Sequence, residues 1–176
     1  MKAHEVKKMI GEEKIVPILR TENADPLLGV ARAVWDSGMR ILEFTMTIPG
    51  VLEAIPKIKS ELPELVVGMG TVQRKEDAKQ AIDNGVDFVV SHFLALDIVD
   101  TVKSRDKMLM LAAFTPTEIT SAVKAGSDIV KLFPANVVDP RFIRSIHGPM
   151  PEVDILATGG LDLISGIRFL KSGAYA

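Results

Sequence analysis

One unit recurs along the sequence: a short apolar segment typical of a buried strand, followed by a segment with helical periodicity. The apolar segments predict seven strands, at residues 15–20, 39–44, 65–69, 86–90, 107–112, 129–133 and 153–157. Strict alternation of strand and helix is typical of a parallel sheet. Seven units and the start of an eighth favour an α/β fold of the TIM (β/α)8 barrel type over an open doubly wound sheet.

The repeat contains no linker or low-complexity tract, so we predict a single domain over residues 1–176. Residues 1–13 are expected to form a short amphipathic helix ahead of the first strand. Gly173 would lead into an eighth strand, but the sequence ends at Ala176. We therefore expect a barrel truncated after the seventh unit, with exposed strand edges, whether the sequence is native or a fragment.

Composition and charge argue against several classes of function. The formal net charge is −2, which leaves no basic excess for a nucleic acid or an anionic membrane. The absence of cysteine excludes disulfides, thiol nucleophiles and thiolate metal sites, and it fits a reducing cytoplasm. The N-terminal residues lack the apolar core of a signal peptide, and no apolar run approaches the roughly 18 residues of a membrane span. We predict a cytoplasmic location.

The three histidines show no spacing typical of a metal site, and we predict none. His92 follows the fourth predicted strand. It either lines the mouth of the barrel or is a loop histidine without a role.

Lys131 stands in the middle of the sixth apolar segment, where a lysine is unusual. Burial of an ammonium group favours the neutral amine, which is a nucleophile for carbonyl carbons. The alternative is that Lys131 caps the strand end and points to water or pairs with a carboxylate.

Glu43 is a carboxylate within an apolar strand, as Lys131 is a lysine within one. A desolvated glutamate has a raised pKa and suits proton transfer near neutral pH. Glu43 could instead only neutralise Lys131 or Arg20. Arg20, at the end of the first strand, either binds a carboxylate or phosphate of a ligand or forms a strand-end ion pair.

Further polar groups follow the carboxyl ends of the strands, where barrels carry their active sites. Thr71 follows Gly70 at a strand-to-helix turn, which suits either a bound carboxylate or a simple helix cap. Thr158, Gly159 and Gly160 follow the seventh strand, at a frequent phosphate site of barrels. One lysine, one carboxylate, one arginine and several hydroxyls are thus expected to converge at one mouth.

Seven stretches in order resemble the class I aldolase family that acts on 2-keto-3-deoxy-6-phosphogluconate (KDPG) and 4-hydroxy-2-oxoglutarate (KHG). They are IVPILR (15–20), LEFTMT (42–47), VGMGTV (67–72), TPTE (115–118), VKLFPA (130–135), HGP (147–149) and TGG (158–160). The lysine-bearing stretch together with the glutamate strand is the specific part of this match.

The resemblance implies that Lys131 forms the Schiff base and that Glu43 is the acid–base residue. The substrate-binding residues that it implies are Arg20, Thr47, Thr71, Phe133, Thr158, Gly159 and Gly160. It also implies a homotrimer, a small phosphorylated 2-oxo acid as substrate, and no cofactor.

The sequence departs from the family pattern at several places. Many members have an arginine where Thr47 stands. Ser91-His92 replaces a usual Ser-Pro pair, and Leu111-Ala112 replaces a usual Pro-Gly pair. A Gly-rich eighth strand with a phosphate-binding serine normally follows the position of Ala176.

We predict a lyase that cleaves KDPG to pyruvate and D-glyceraldehyde 3-phosphate, or KHG to pyruvate and glyoxylate. The alternatives are an aldolase for 2-dehydro-3-deoxy-6-phosphogalactonate, a phosphosugar epimerase or isomerase, and a catalytically impaired barrel that binds ligands or oligomerises.

Overall fold

The computed structural model describes all residues from 1 to 176, and its seven strands form one parallel sheet in the order β1 to β7. The strands are β1 (Ile18–Leu19), β2 (Ile41–Thr45), β3 (Val66–Gly70), β4 (Phe88–Val90), β5 (Met108–Ala113), β6 (Ile129–Leu132) and β7 (Ile155–Ala157). The helices are α1 (Ala3–Glu13), α2 (Leu27–Asp36), α3 (Val51–Glu61), α4 (Lys75–Asp83), α5 (Val99–Lys103), α6 (Pro116–Ala125), α7 (Arg141–His147) and α8 (Leu163–Lys171). The predicted truncated barrel is confirmed.

Successive side chains of each strand point to opposite faces of the sheet, one toward the barrel interior and the next toward the layer of helices. On β6, Ile129 packs in an inner apolar cluster, whereas Val130 and Leu132 pack in the outer cluster under the helices. This alternation directs Lys131 inward, two residues after Ile129 along the strand. The same alternation on β2 directs Glu43 inward, between Leu42 and Phe44, which belong to the outer cluster.

Helix α1 closes the amino-terminal end of the barrel. Its buried residues Ala3, Val6 and Ile10 join the inner cluster, together with Phe88 and Met108 from the strands. The predicted amphipathic helix at residues 1–13 is therefore confirmed. Because α1 covers this end, the interior opens toward the carboxyl ends of the strands.

Strand β1 pairs only with β2, so the sheet does not close between β1 and β7. Beyond β7 the sheet continues for a few residues: the N–H of Tyr175 donates to the carbonyl of Ile155 at 2.8 Å, and the N–H of Ala157 donates to the carbonyl of Ala176 at 3.1 Å. These bonds correspond to the start of the predicted eighth strand.

Several helix ends are set by local sequence. Thr115 caps α6 and forms a reciprocal capping box with Glu118, and Gly126 ends this helix with a φ of 99°. Asp162 caps α8 through the N–H of Ser165. The caps at Thr115 and Asp162 fix where two loops of the barrel mouth end, whereas Gly126 lies at the opposite end of the barrel, ahead of β6.

Some predicted bounds were wrong. Strand β1 has two residues rather than six, because Pro17 has no N–H and contributes only its carbonyl, which accepts from the N–H of Glu43. Helix α2 starts without a side-chain cap, and the Asn23 side chain accepts from the Asp25 N–H in the turn that precedes it. A 3-10 turn at residues 96–98 leads directly into α5.

No helix in the structure combines the length and the apolar character needed to cross a membrane.

Candidate active site

Lys131 and Glu43 face one cavity at the carboxyl ends of the strands. Lys131 is 6% exposed and Glu43 is 3% exposed, yet no ion pair joins the two side chains. Both line a cavity of about 730 Å³. Lys131 and Glu43 thus share a largely buried cavity, and neither side chain is the hydrogen-bond or ion-pair partner of the other.

The electrostatics of the pair follow from burial. Desolvation lowers the pKa of Lys131 below its ordinary value; the Glu43 carboxylate opposes this shift, and the Arg20 guanidinium adds to it. Desolvation raises the pKa of Glu43, against the opposing charges of Lys131 and Arg20. Both shifts move the two groups toward the forms needed for nucleophilic attack and for proton transfer near neutral pH.

The backbone of β3 makes room for the Glu43 side chain. A Cβ atom added at Gly70 would overlap Oε1 of Glu43 and would lie 2.7 Å from its Cδ. The absence of a side chain at Gly70 therefore leaves the space that the Glu43 carboxylate occupies. This role of Gly70 was not predicted from the sequence, although a glycine inside a buried strand is a known sign of a close approach.

The cavity brings together most of the side chains that the sequence singled out. Arg20 at the end of β1, Thr71 after β3 and Phe133 after β6 all line it. Thr71 has a φ of 61°, which interrupts the strand at this point, and its backbone N–H has no backbone partner. The Nζ atom of Lys131 lies 5.6 Å from the centroid of the Phe133 ring.

The turn after β7 closes one side of the cavity. Thr158, Gly159 and Gly160 all line it, and the Thr158 hydroxyl is buried without a hydrogen-bond partner. The carbonyl of Thr158 accepts from the N–H of Ala135 at 2.8 Å, and that of Gly159 accepts from the N–H of Asn136 at 3.1 Å. The N–H groups of Gly159 and Gly160 donate to no backbone carbonyl, so they are available to an anion.

Conformation requires glycine at this turn. Gly159 and Gly160 have φ values of 101° and 64°. A Cβ atom at Gly160 would lie 2.6 Å from the Nδ2 atom of Asn136. The turn can present its backbone to a ligand only without these side chains.

One residue differs from its expected placement, and the structure decides the placement of another that had been left open. Thr47 is exposed and does not line the cavity; its hydroxyl lies 2.8 Å from that of Thr45, which does line it. His92, for which two interpretations stayed open, lines the cavity.

Nowhere in the structure do three or more His, Asp or Glu side chains converge in an arrangement suited to a metal ion.

Comparison with known proteins places this geometry in context. The family model described as KDPG and KHG aldolase matches residues 6–176. The 2-dehydro-3-deoxy-phosphogluconate aldolase of Haemophilus influenzae is 30% identical over 153 residues, which are 86% of this chain and 72% of that protein. A probable 2-dehydro-3-deoxy-6-phosphogalactonate aldolase of Rhizobium meliloti is 27% identical over 164 residues, covering 92% and 77%.

Among solved structures, the 2-keto-3-deoxy-6-phosphogluconate aldolase of Zymomonas mobilis ZM4 with 3-phosphoglycerate superposes with a TM-score of 0.87. It is 27% identical to this chain, and the match covers 96% of this chain and 80% of that one.

Proposed function

The chain belongs to the KDPG and KHG aldolase family, and we propose that it cleaves a 2-keto-3-deoxy sugar acid through a Schiff base on Lys131. One observation carries the proposal: Lys131 and Glu43, both almost fully buried, face one cavity without an ion pair between them. The reaction class is that of a carbon–carbon lyase.

The neutral amine of Lys131 attacks C2 of the substrate and forms a carbinolamine, which loses water to give an iminium ion. The lowered pKa of Lys131 supplies the neutral amine at moderate pH. The iminium ion then accepts the electron pair of the C3–C4 bond as that bond breaks. An enamine of pyruvate and a free aldehyde result.

Glu43 moves the protons of this sequence. It accepts the proton of the C4 hydroxyl through a water molecule as the C3–C4 bond breaks, and it returns a proton to C3 of the enamine. Hydrolysis of the resulting iminium ion releases pyruvate and regenerates Lys131. The raised pKa of Glu43 makes both directions of transfer accessible near neutral pH.

The remaining cavity residues would bind the substrate. Thr71 and Phe133 line the pyruvate end, and Arg20 offers a cation for an anionic group. The unpaired N–H groups of Gly159 and Gly160 suit a phosphate. A phosphorylated acid such as KDPG, which would yield D-glyceraldehyde 3-phosphate, fits this arrangement; the unphosphorylated KHG would yield glyoxylate.

The relative from Rhizobium meliloti supports a second candidate substrate, 2-dehydro-3-deoxy-6-phosphogalactonate. The two phosphorylated acids differ in configuration at C4, so the ratio of their kcat/KM values decides between them.

The proposal also retains a homotrimer and a cytoplasmic location. The resemblance to the family supports the first, and the absence of cysteine supports the second. Sedimentation equilibrium checks the first, and cell fractionation checks the second.

Trapping of the Schiff base tests the proposal. We expect sodium borohydride with pyruvate to attach one reduced pyruvyl group to the peptide that contains Lys131, as seen by mass spectrometry. Lys131→Met should abolish the adduct, whereas Lys124→Met, on the exposed face of α6, should retain it. An adduct that survives Lys131→Met would refute the assignment. Stabilisation by pyruvate without turnover of any acid would favour a catalytically impaired barrel.

A further inference from the structure

We infer that His92 binds the carboxylate of the substrate, beside Thr71, through a hydrogen bond donated by Nδ1. The inference rests on the proposed function and adds a residue that selects 2-oxo acids over ketones that lack a carboxylate.

The first support is an unsatisfied group. The Nδ1 atom of His92 is buried and has no hydrogen-bond partner, although the ring lines the cavity. Buried polar atoms are nearly always paired in folded proteins, and an exception at a cavity wall points to a group supplied by a ligand. The ring is held edge-on to Phe93, with centroids 5.1 Å apart and an interplanar angle of 75°.

The second support is the position of His92 in the sheet. On β4, Phe88 and Val90 face the barrel interior, so His92 continues the same inward face at the mouth. Strands β3 and β4 are neighbours in register, and the N–H of Val72 donates to the carbonyl of Val90 at 3.1 Å. His92 and Thr71 therefore follow the ends of neighbouring strands, and both line the cavity.

The third support is the direction in which the substrate must lie. With C2 attached to Lys131 on β6, C3 has to face Glu43 on β2 to exchange its proton. The chain beyond C4 extends to the turn after β7, where Gly159 and Gly160 offer free N–H groups. The carboxylate on C2 is then left with the wall formed by β3, β4 and β5.

That wall contains few donors. Strand β5 ends in Ala112 and Ala113, whose side chains have none, whereas Thr71 and His92 provide a hydroxyl and a ring nitrogen. A carboxylate accepts several hydrogen bonds at once, so the backbone N–H of Thr71 and Nδ1 of His92 can serve it together.

Three substitutions at His92 test the inference. His92→Asn places an amide nitrogen near the position of Nδ1, His92→Gln places one near Nε2, and His92→Phe removes both. The readout is the concentration of ketone that gives half-maximal borohydride trapping at Lys131, measured with pyruvate and with acetone, which has no carboxylate. His4→Phe, on the exposed side of α1, is the matched control.

We expect His92→Phe and His92→Gln to raise the half-saturating pyruvate concentration about tenfold, because a charge-assisted hydrogen bond is lost. His92→Asn should stay within about threefold of the unmodified protein, and the values for acetone should not change in any variant. Circular dichroism confirms that each variant is folded. If His92→Phe does not fold, the contrast between Asn and Gln decides.

Three outcomes would overturn the inference: unchanged pyruvate values in His92→Phe, equal losses with pyruvate and acetone, or equal values for Asn and Gln. Absence of any pyruvate adduct in the unmodified protein would overturn the proposed function and this inference with it. An adduct at Lys131 that is insensitive to His92 would overturn the inference alone.

Discussion

The side chain of Glu43 occupies the space that a Cβ atom at Gly70 would need. The two residues lie on neighbouring strands, β2 and β3, and Gly70 pairs in register with Thr45, two residues after Glu43. The position of the acid–base group thus depends on the lack of a side chain on the next strand.

Gly70→Ala is expected to displace the Glu43 carboxylate. We expect kcat for aldol cleavage to fall by about 10²-fold, because acid–base catalysis is lost, and stability to fall by about 1–3 kcal/mol through overpacking. Steady-state kinetics and urea unfolding measure these effects. Gly29→Ala in α2, where the new methyl group meets no atom within 4 Å, should leave kcat unchanged. Equal kcat values for both variants would contradict the role of Gly70.

The rate of adduct formation should report the pKa of Lys131. Burial lowers this pKa below the ordinary value of 10.5, so the neutral fraction rises as pH increases through the lowered value. The initial rate of cyanoborohydride trapping with pyruvate should therefore rise with pH and level off below pH 10.5. Because the Glu43 charge raises the pKa of Lys131, Glu43→Gln should move the midpoint to lower pH. A rate still rising steeply at pH 10.5 would argue against a buried amine.

Replacement of both buried ionisable groups should stabilise the fold while abolishing activity. The raised pKa of Glu43 means that its contribution to stability falls as pH rises from 4.5 through the raised value. The lowered pKa of Lys131 means that its contribution rises only between the lowered value and 10.5. Both groups therefore disfavour folding at neutral pH.

We expect Glu43→Met/Lys131→Met to gain roughly 1–3 kcal/mol near pH 7, as measured by chemical unfolding. The exposed pair of Arg32 and Glu61 gives a matched control: Arg32→Met/Glu61→Met should show no gain. A less stable site variant would indicate that the two buried groups support each other more than their desolvation costs.

The turn after β7 can be tested separately from the Schiff base. In Gly160→Ala the new methyl group would meet Asn136 and distort the turn. We expect KM for phosphorylated 2-keto-3-deoxy acids to rise at least about tenfold, with pyruvate trapping nearly unchanged. Gly126→Ala also places an alanine at a positive φ, of 99°, but its methyl group meets no atom within 4 Å. It should lose only stability, so a kinetic effect as large as that of Gly160→Ala would speak against a phosphate site.

The parallel strand order, helix α1 and the convergence of polar groups around Lys131 could all be predicted, because apolar segments that alternate with helical segments are visible in the sequence itself. The two-residue length of β1 could not, since it depends on how Pro17 meets the N–H of Glu43 in the sheet. The exposure of Thr47 and the inward direction of His92 could not be predicted either, because both depend on tertiary structure. Each follows from where its strand ends relative to its neighbours, which no local pattern specifies.

The contact between α1 and the last residues bears on the order of folding. The Tyr175 hydroxyl donates to the carbonyl of Lys7 at 2.9 Å, and the Lys14 ammonium donates to the carbonyl of Tyr175 at 3.0 Å. These contacts join residues from the two ends of the chain. Forming them early in folding would cost the conformational entropy of closing a loop of nearly the whole chain. The base of the barrel should therefore assemble late, so that weakening this contact accelerates unfolding far more than it slows refolding.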